Sequence, residues 1–330
     1  MSDKLSLSMA VSEYDHVRDL TSGAVRAEGI RLTCLDLPTE EIFFRSLKYN
    51  EFDVCELSMG KYISLISQGD DTFSGIPVFP SRAFRQSSAY VLRDGPVKCV
   101  EDLRGRKVGL PEWAQTAAIY SRGFLTHEYG LRLADIHWIQ AGTNQAGRVE
   151  KVELRLPAGV KLEPVPNKSL NEMLLSGEVD AVFAGNPPAA FKQGDPRVVQ
   201  LFPNYQSVEQ AYFEKTRIFP IMHIVAIKRG VLEQHPWVAR NLFKGFEEAK
   251  RRSLARAAEP TASRFPIPWS VYYFERAQAI FGADPFPYGI EANKTTLDAF
   301  ARFSEEQGVS HRLVGLEELF WPTMGDSFKV

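Results

Sequence analysis

Hydrophobic positions along the chain follow two periods, and the change between them predicts alternating strands and helices. Short apolar runs bounded by turn residues predict strands, and apolar residues three and four apart predict helices. The predicted strands cover residues 5–11, 31–37, 52–57, 76–79, 88–93, 107–110, 137–141, 149–156, 160–165, 180–184 and 219–228. The predicted helices cover 15–27, 40–49, 59–68, 116–129, 235–257, 269–281 and 291–307, and one more begins at the capping box of Ser169 and Glu172. This order is typical of an α/β protein.

The series divides into two lobes. A turn signal at Asp94, Gly95 and Pro96 closes the first series, and a second begins at Cys99. The long apolar strand at 219–228 is predicted to return to the first lobe. We therefore expect one lobe from 1–93 and 224–330 and another from 94–223. Each is expected to be a mixed open sheet flanked by helices, with the ligand cleft between the lobes.

Composition narrows the class of partner. The 330 residues carry 39 Lys and Arg against 41 Asp and Glu, so the footprint of a nucleic-acid binder is missing and a small-molecule partner is expected. Three scattered cysteines predict neither a disulfide framework nor a zinc site. The sequence contains no apolar stretch of the length that a signal peptide or a membrane span needs. We expect a cytoplasmic protein without membrane contact.

Several phrases resemble a known family. The segments EDLRGRKVGLPE and LNEMLLSGEVDAVFAG are similar to those of the type II periplasmic-binding-protein fold. Within that fold, the segments GRVEKVELRLPAGVKLEPVP, FPIMHIVAIKRGVLEQHPWVA and PYGIEANKTTLDAFARFSEEQG resemble the 4,5-dihydroxyphthalate decarboxylase family, a cytoplasmic enzyme branch. The resemblance covers nearly the whole chain. It implies removal of one carboxylate from a dihydroxylated phthalate, giving protocatechuate and carbon dioxide without an organic cofactor.

Ligands of open α/β sheets bind beyond the carboxyl ends of the strands, so side chains just after each strand are the candidates. After the first strand, His16 or Asp15 is a candidate proton donor, although Ser12 or Asp15 would equally serve as a helix cap. After the third strand, burial would raise the pKa of Glu56 and make it a general acid. The alternative is a structural glutamate paired with an arginine. Ser58 caps the next helix and is expected to donate to a ligand carboxylate.

The loop before the second lobe carries two arginines. A guanidinium binds a carboxylate through two parallel hydrogen bonds, so Arg82 and Arg85 are candidates for holding a dicarboxylate substrate. The alternative is a pair of solvated surface arginines. Phe84 from the same loop and Trp113 are expected to make a less polar wall around the departing carboxylate.

The second lobe and the return strand supply further candidates. Gln115 and Thr116 lie at a predicted helix N-terminus, which favours an anion, and Trp113 is placed to stack on an aromatic ring or to pack at the hinge. Asn186 is a candidate partner for a ring hydroxyl or else a turn residue. The imidazole of His223 is a candidate catalyst, with a satisfied core histidine as the alternative.

The resemblance implies a specific chemistry. Protonating the ring carbon that carries the carboxylate lowers the barrier to loss of carbon dioxide, so an acid and a base are needed. We assign the acid to His223 or Glu56, the base to His16, and the retained carboxylate to Arg82 and Arg85. No metal is expected, although His16, Glu56 and His223 together are the one set considered as metal ligands.

Other classes of function stay open. The main alternative is a solute-binding protein for an aromatic or other small organic anion, and another is an enzyme of the same fold that uses Cys55. GxGxxG, GxxxxGK[ST], HExxH and GxSxG motifs do not occur, so dinucleotide, P-loop, zincin and nucleophile-elbow functions have no support. The basic helix at 241–256 covers a core or faces another copy of the chain, and we expect a homo-oligomer.

Overall fold

Residues 4–262 and 264–324 are described by the structure, a computed structural model, and they form two lobes around two mixed β-sheets. The strands are β1 (Leu5–Ala10), β2 (Ile30–Leu35), β3 (Val54–Ser58), β4 (Phe73–Ile76), β5 (Ala89–Leu92), β6 (Lys107–Leu110), β7 (His137–Gly142), β8 (Lys161–Ser169), β9 (Ala181–Phe183), β10 (Val198–Gln200) and β11 (His223–Lys228). The helices are α1 (Asp15–Thr21), α2 (Thr39–Tyr49), α3 (Met59–Ser67), α4 (Thr116–Tyr129), α5 (Leu170–Leu175), α6 (Ala189–Lys192), α7 (Tyr205–Thr216), α8 (Arg229–Gln234), α9 (Trp237–Ala257), α10 (Ser270–Phe281), α11 (Lys294–Glu306) and α12 (Leu316–Leu319). The predicted fold class is confirmed.

The first sheet has the strand order β2-β1-β3-β11-β4. β1 is parallel to β2 and β3, whereas β11 is antiparallel to both of its neighbours. The register therefore places His223, the first residue of β11, opposite Ser58, the last residue of β3. Both strands are almost entirely buried, which explains their nearly continuous apolar sequences. The carboxyl end of β3 and the start of β11 meet at one edge of this sheet.

The second sheet has the order β10-β5-β9-β6-β7-β8, with β9, β6, β7 and β8 parallel. Glu112 follows β6, and Gly185 follows β9, at the edge that faces the first lobe. β5, which the sequence placed in the first lobe, pairs antiparallel with β9. The crossing between the lobes therefore precedes Ala89 instead of following residue 93.

The predicted hairpin of 149–156 and 160–165 is wrong. Residues 149–156 contain no strand, and β8 instead pairs parallel with β7. The apolar residues of the segment, Val152 and Leu154, pack against the core. Its backbone is hydrogen-bonded to the C-terminal region, where Arg155 N–H donates to the carbonyl of Gly308 at 2.8 Å. A distant partner thus satisfies the groups that a hairpin would have paired.

The C-terminal helices brace both lobes. α9 packs along α1, whereas α11 contacts α3 of the first lobe and α4 of the second. A Cβ on Gly123 would lie 2.5 Å from the ring of Phe303, so glycine is needed for α4 and α11 to approach this closely. Within the described ranges, no helix is both long and apolar enough to cross a membrane.

Candidate active site

A cavity of about 390 Å³ lies between the lobes, where the ends of β3, β6, β9 and β11 meet. Six of the predicted site residues line it, namely Ser58, Arg85, Gln115, Thr116, Asn186 and His223. The other lining residues are Thr39, Glu40, Phe43, Lys61, Glu112, Ala117, Arg148, Gly185 and Met222. The crevice between the lobes is thus a polar site with several charged side chains.

His223 is held by a buried carboxylate. Glu56 lies opposite Val225 in the β3–β11 pairing, so Glu56 and His223 are diagonal neighbours on one face of the sheet. His223 Nδ1 is 2.6 Å from Glu56 Oε1, and a carboxylate only accepts, so the proton lies on Nδ1 in this contact. The side chain of His223 is 20% exposed and borders the cavity. This arrangement leaves Nε2 for a ligand.

Glu56 itself is wholly buried behind the cavity. Tyr14 Oη donates to its Oε1 at 2.6 Å, and Ser12 N–H donates to its Oε2 at 2.9 Å. Burial alone would raise the pKa of Glu56, but the hydrogen bond and charge of His223 and the bonds from Tyr14 and Ser12 hold the pKa below its ordinary value. The expected rise in this pKa is therefore wrong. Glu56 orients His223 as a carboxylate.

Arg85 carries a positive charge into the cavity with only a weak partner. Its Nη2 and Nε donate to the thioether of Met222, at 2.7 and 3.2 Å. A thioether is a weak acceptor, and no Asp or Glu in the described part of the chain forms an ion pair with Arg85. Burial lowers the pKa of Arg85 to about 10, so the guanidinium stays charged at neutral pH. It is available to a ligand carboxylate.

A second charged cluster lies at the same cavity. Glu112 is wholly buried, and its Oε2 lies 3.0 Å from Lys61 Nζ of the other lobe. Its Oε1 accepts from Arg148 Nε at 2.7 Å, and Arg148 Nη1 reaches Glu40 at 2.9 Å. Burial alone would raise the pKa of Glu112, but the charges of Lys61 and Arg148 hold it below its ordinary value.

The two lobes also meet through hydroxyl groups. Ser58 Oγ and Thr116 Oγ1 are 3.0 Å apart, and Thr116 Oγ1 accepts from Gly60 N–H at 2.9 Å. Gln115 directly precedes α4, and its buried Oε1 has no hydrogen-bond partner in the described residues. Asn186 Oδ1 accepts from Lys192 Nζ at 2.7 Å. These groups add neutral donors and acceptors to the charged ends of the cavity.

Two predicted charged residues lie elsewhere. Arg82 is buried, donates to the backbone carbonyls of Phe219 and Pro287 at 3.1 and 2.7 Å, and also contacts Asn293 Oδ1. His16 Nε2 is bonded to the carbonyl of Pro80 at 3.1 Å, and burial lowers its pKa to about 4. Both are therefore corrected to structural positions, because each is bonded to backbone carbonyls outside the cavity and packs on aromatic side chains.

The two predicted aromatic walls are also core residues. Phe84 stacks on Phe219 at 5.0 Å and on Phe281 at 6.2 Å between ring centroids. Trp113 is wholly buried, and its Nε1 donates to the carbonyl of Gln307 at 2.8 Å. Neither residue lines the cavity. Hydrophobic burial decides both positions, and packing, the alternative considered for Trp113, is observed.

Sequence reasoning missed Phe43, Lys61, Glu112 and Arg148. Lys61 had a usable signal, because it lies one helical turn after Ser58 and therefore on the same side of α3. Glu112 lies in the loop after β6 and therefore met the rule that places ligands beyond the ends of strands. Phe43 contacts the ring of His223 edge-on at 5.0 Å from within α2. Arg148, in the loop after β7, had no local signal.

Metal binding was tested on the side-chain geometry. Across residues 4–262 and 264–324, no group of three or more His, Cys, Asp or Glu side chains is arranged to hold a metal ion. His16 is separated from the Glu56–His223 pair by its contacts with Pro80 and Phe286. The three residues considered as a ligand set are therefore not assembled around one point.

Comparison with known proteins agrees with this architecture. The sulphonate-binding protein SsuA of Escherichia coli superposes with a TM-score of 0.56 at 12% identity, over 97% of this chain and 98% of that one. The chain thus has the two-lobed fold of the periplasmic binding proteins. No family model matches the chain.

Two curated relatives identify the family. The 4,5-dihydroxyphthalate decarboxylase of Comamonas testosteroni is 36% identical over 99% of both chains. The 4,5-dihydroxyphthalate decarboxylase of Pseudomonas putida is 38% identical over 64% of this chain and 82% of the relative. The chain belongs to the 4,5-dihydroxyphthalate decarboxylase family, which confirms the family expected from the sequence.

Proposed function

We propose that the protein converts 4,5-dihydroxyphthalate into protocatechuate and carbon dioxide, the lyase activity for which its relatives are named. The observation that carries the proposal is the pairing of two groups in one cavity. His223 is an imidazole backed by a buried carboxylate, and Arg85 is a guanidinium that no carboxylate of the described residues neutralises. A dicarboxylate substrate that must be protonated on its ring needs a proton donor, such as His223, and a cation for the carboxylate that stays, such as Arg85.

The chemistry requires protonation before the carboxylate leaves. Direct loss of carbon dioxide from a benzene ring would leave an aryl anion with no electron sink. When the hydroxyl para to the reacting carbon is ionised, its electron pair feeds the ring, and the carbon accepts a proton to give a ketone-like intermediate. The bond to the carboxylate then breaks, its electron pair restores the aromatic phenolate, and carbon dioxide departs. One proton is consumed for each carbon dioxide released.

His223 is the proton donor in this mechanism. Its Nδ1–H keeps its hydrogen bond to Glu56, while Nε2–H of the imidazolium protonates the substrate carbon. The neutral imidazole then regains a proton at Nε2 from water. The Glu56 carboxylate stabilises the imidazolium and fixes its orientation, and Tyr14 holds Glu56. Glu56 is thus a positioning residue. A positioned general acid contributes roughly 10²- to 10⁴-fold in rate.

Arg85 holds the carboxylate that stays on the ring. Two parallel N–H donors match a carboxylate better than they match the thioether of Met222, so substrate displaces a weak contact with a strong one. If the departing carboxylate were bound as tightly, the ground state would be stabilised and the reaction would not be accelerated. Phe43, which packs against His223, gives that group a less polar environment.

Neutral groups of the second lobe are proposed to recognise a ring hydroxyl. Gln115 Oε1 is a buried acceptor without a partner in the described residues, and Asn186 lies beside it on the same cavity wall. Hydroxyl recognition by such groups discriminates strongly, since an analogue without the hydroxyl leaves a buried acceptor unpaired.

We also propose that no organic cofactor takes part. The support is chemical, because the ionised hydroxyl of the substrate serves as the electron sink that a cofactor would otherwise supply. Activity that survives exhaustive dialysis and treatment with a chelator would support this proposal, and activity restored only by a metal or a cofactor would overturn it.

Location and assembly are further proposals. We propose a cytoplasmic protein, supported by three cysteines that are all free. Fractionation of the source cells tests this location.

We propose a homo-oligomer, supported by exposed aromatic residues at the start of α10, where Trp269 is 75% exposed and Tyr272 and Tyr273 are about half exposed. Light scattering after size-exclusion chromatography measures the mass.

The decisive experiment is a turnover assay. Purified, chelator-treated protein is incubated with 4,5-dihydroxyphthalate and a panel of other hydroxylated benzoates, while carbon dioxide and product are followed by chromatography. We expect turnover of 4,5-dihydroxyphthalate, and a sharp rise in KM for Arg85→Met with a smaller one for Arg85→Lys. Tight binding across the panel without turnover would instead favour a solute-binding protein.

A further inference from the structure

The cavity has a second cationic end that the mechanism above leaves unused. Lys61 and Arg148 both contact the buried Glu112, at 3.0 and 2.7 Å, and Lys151 approaches Glu112 at 3.9 Å. The carboxylates around them are Glu112, Glu40 and Glu150, and Glu150 accepts from Ala114 N–H at 3.1 Å. Lys61 is the buried cation of the three, and it shares the single carboxylate of Glu112 with Arg148. An anionic ligand atom at this end of the cavity would therefore face both cations.

The strand order places the two cationic ends at different strand ends of the second sheet. Arg85 lies against Gly185, where an added Cβ would stand 3.1 Å from Nη1. Gly185 follows β9, Glu112 follows β6, and Arg148 lies in the loop after β7, and these three strands are neighbours in that order. Arg85, Lys61 and Arg148 all line the same cavity of about 390 Å³, which is large enough for one benzene ring.

The orientation of the ring follows from His223. Arg85 is bonded to Met222, the residue next to His223, so the carboxylate and the proton donor lie at the same end. The carboxylates of 4,5-dihydroxyphthalate lie on one edge of the ring and the hydroxyls on the opposite edge. With the carboxylates at Arg85, the hydroxyl edge faces Lys61 and Arg148.

We propose that Lys61 and Arg148 bind the ring hydroxyl para to the departing carboxylate as a phenolate, and that Glu112 positions both cations. The inference rests on the proposed function and deepens it. On binding, the O–H bond of this hydroxyl breaks, its proton passes to water, and the electron pair stays on the oxygen facing the ammonium and guanidinium groups. That pair is the one that enters the ring when the carbon is protonated.

This assignment supplies what His16 cannot. His16 was expected to be the base for the hydroxyl, but it lies outside the cavity lining and is bonded to Pro80. Lys61 and Arg148 do not act as the base. Their positive charges lower the pKa of the hydroxyl, so that it releases its proton to water. A cation within about 4 to 6 Å favours the anionic form by roughly 1 to 3 pH units. The charged groups that line the hydroxyl end are Glu40, Lys61, Glu112 and Arg148, with Glu150 and Lys151 behind them, and those at the carboxylate end are Arg85 and His223.

The test reads the ionisation of bound product directly. Protocatechuate absorbs at longer wavelength as the phenolate, so ultraviolet difference spectra of the complex are recorded against pH. We expect wild-type protein to bind the phenolate at a pH where free protocatechuate is still protonated. Lys61→Met should move this transition upward by about 1 to 3 pH units, and Arg148→Met should move it in the same direction by less. A change confined to protein stability would leave the transition where it is.

Two controls make the outcome specific. Lys168→Met removes an exposed lysine paired with Glu178 at 2.6 Å and should leave the transition unchanged. Phthalate, which has no hydroxyls, should lose less affinity than protocatechuate when Lys61 is replaced. Arg148→Met, in an exposed loop, keeps the test usable if Lys61→Met fails to fold.

The results separate this inference from the proposed function. An unchanged transition in the folded Lys61→Met protein, or an equal loss of phthalate and protocatechuate affinity, would overturn the phenolate assignment even if the wild type decarboxylates 4,5-dihydroxyphthalate. Failure of the wild type to turn over that compound would overturn the proposed function whatever the spectra show.

Discussion

Glu56, inside β3, and Glu112, just after β6, are two wholly buried carboxylates that hold different groups. The partners of Glu56 are the imidazole of His223, the hydroxyl of Tyr14 and a backbone N–H, all within the first lobe. The partners of Glu112 are alkylammonium and guanidinium groups, and Lys61 reaches it from the opposite lobe.

The difference teaches that the partner decides what a buried acid does. An imidazole exchanges protons near neutral pH, so the carboxylate behind it tunes a proton donor. Lysine and arginine side chains stay charged, so the carboxylate behind them fixes a local field. The two ion pairs also differ in how they depend on the contact between the lobes. Glu56 and His223 belong to one lobe and stay paired when the lobes separate, whereas Glu112 and Lys61 belong to different lobes and do not.

Replacing the proton donor should have the largest effect. We expect His223→Gln to lower kcat by roughly 10²- to 10⁴-fold, since general acid catalysis is lost, while phthalate binding changes little. Steady-state kinetics and calorimetry measure the two quantities. His127→Gln, which alters an exposed histidine paired with Glu306, serves as the control. Wild-type kcat in His223→Gln would remove His223 from the mechanism.

Replacing the carboxylate behind the imidazole should have an intermediate effect. Glu56→Gln keeps the shape of the side chain but not its charge, so the imidazolium is less stable and less well oriented. We expect kcat to fall by roughly 10- to 100-fold, by analogy with the loss of a carboxylate behind a metal-ligating histidine. Steady-state kinetics should show the loss in kcat with KM little changed, because Arg85 and its contacts are untouched. Wild-type kcat in the folded Glu56→Gln protein would contradict this role of Glu56.

Glu112→Gln should act on stability more than on the proton-transfer step. Breaking a buried ion pair leaves Lys61 unpaired and is expected to cost about 3 kcal/mol in the free energy of unfolding. Because the folded pKa of Glu112 is lowered, its contribution is complete above its ordinary pKa and is lost as pH falls toward the folded value. Urea unfolding at several pH values should show a shallower acid loss in Glu112→Gln than in wild type. Parallel curves would contradict the assignment.

The crevice rule worked for several side chains at the end of a strand or in the loop after it. The cavity is lined by Ser58, Arg85, Gln115, Thr116 and Asn186, since strand ends and their loops gather at one edge of each sheet. The rule could not separate Arg85 from Arg82, three residues earlier in the same loop. Arg82 donates to the carbonyl of Pro287 and contacts the side-chain oxygen of Asn293. Both residues lie about two hundred positions later in the chain, so the sequence of the loop does not indicate these contacts.

What the sequence by itself determined was the α/β series, the two lobes, the family and most of the residues at the strand ends, because periodicity and strand termini are local properties. Only the tertiary structure decided which polar groups are satisfied by distant backbone and which face the cleft. It turned Trp113 and Phe84 into core, placed His16 outside the cavity lining, and brought Lys61 and Arg148 together on Glu112. Burial and ion pairing between residues far apart in the chain depend on the packing of the two lobes, which no local pattern encodes.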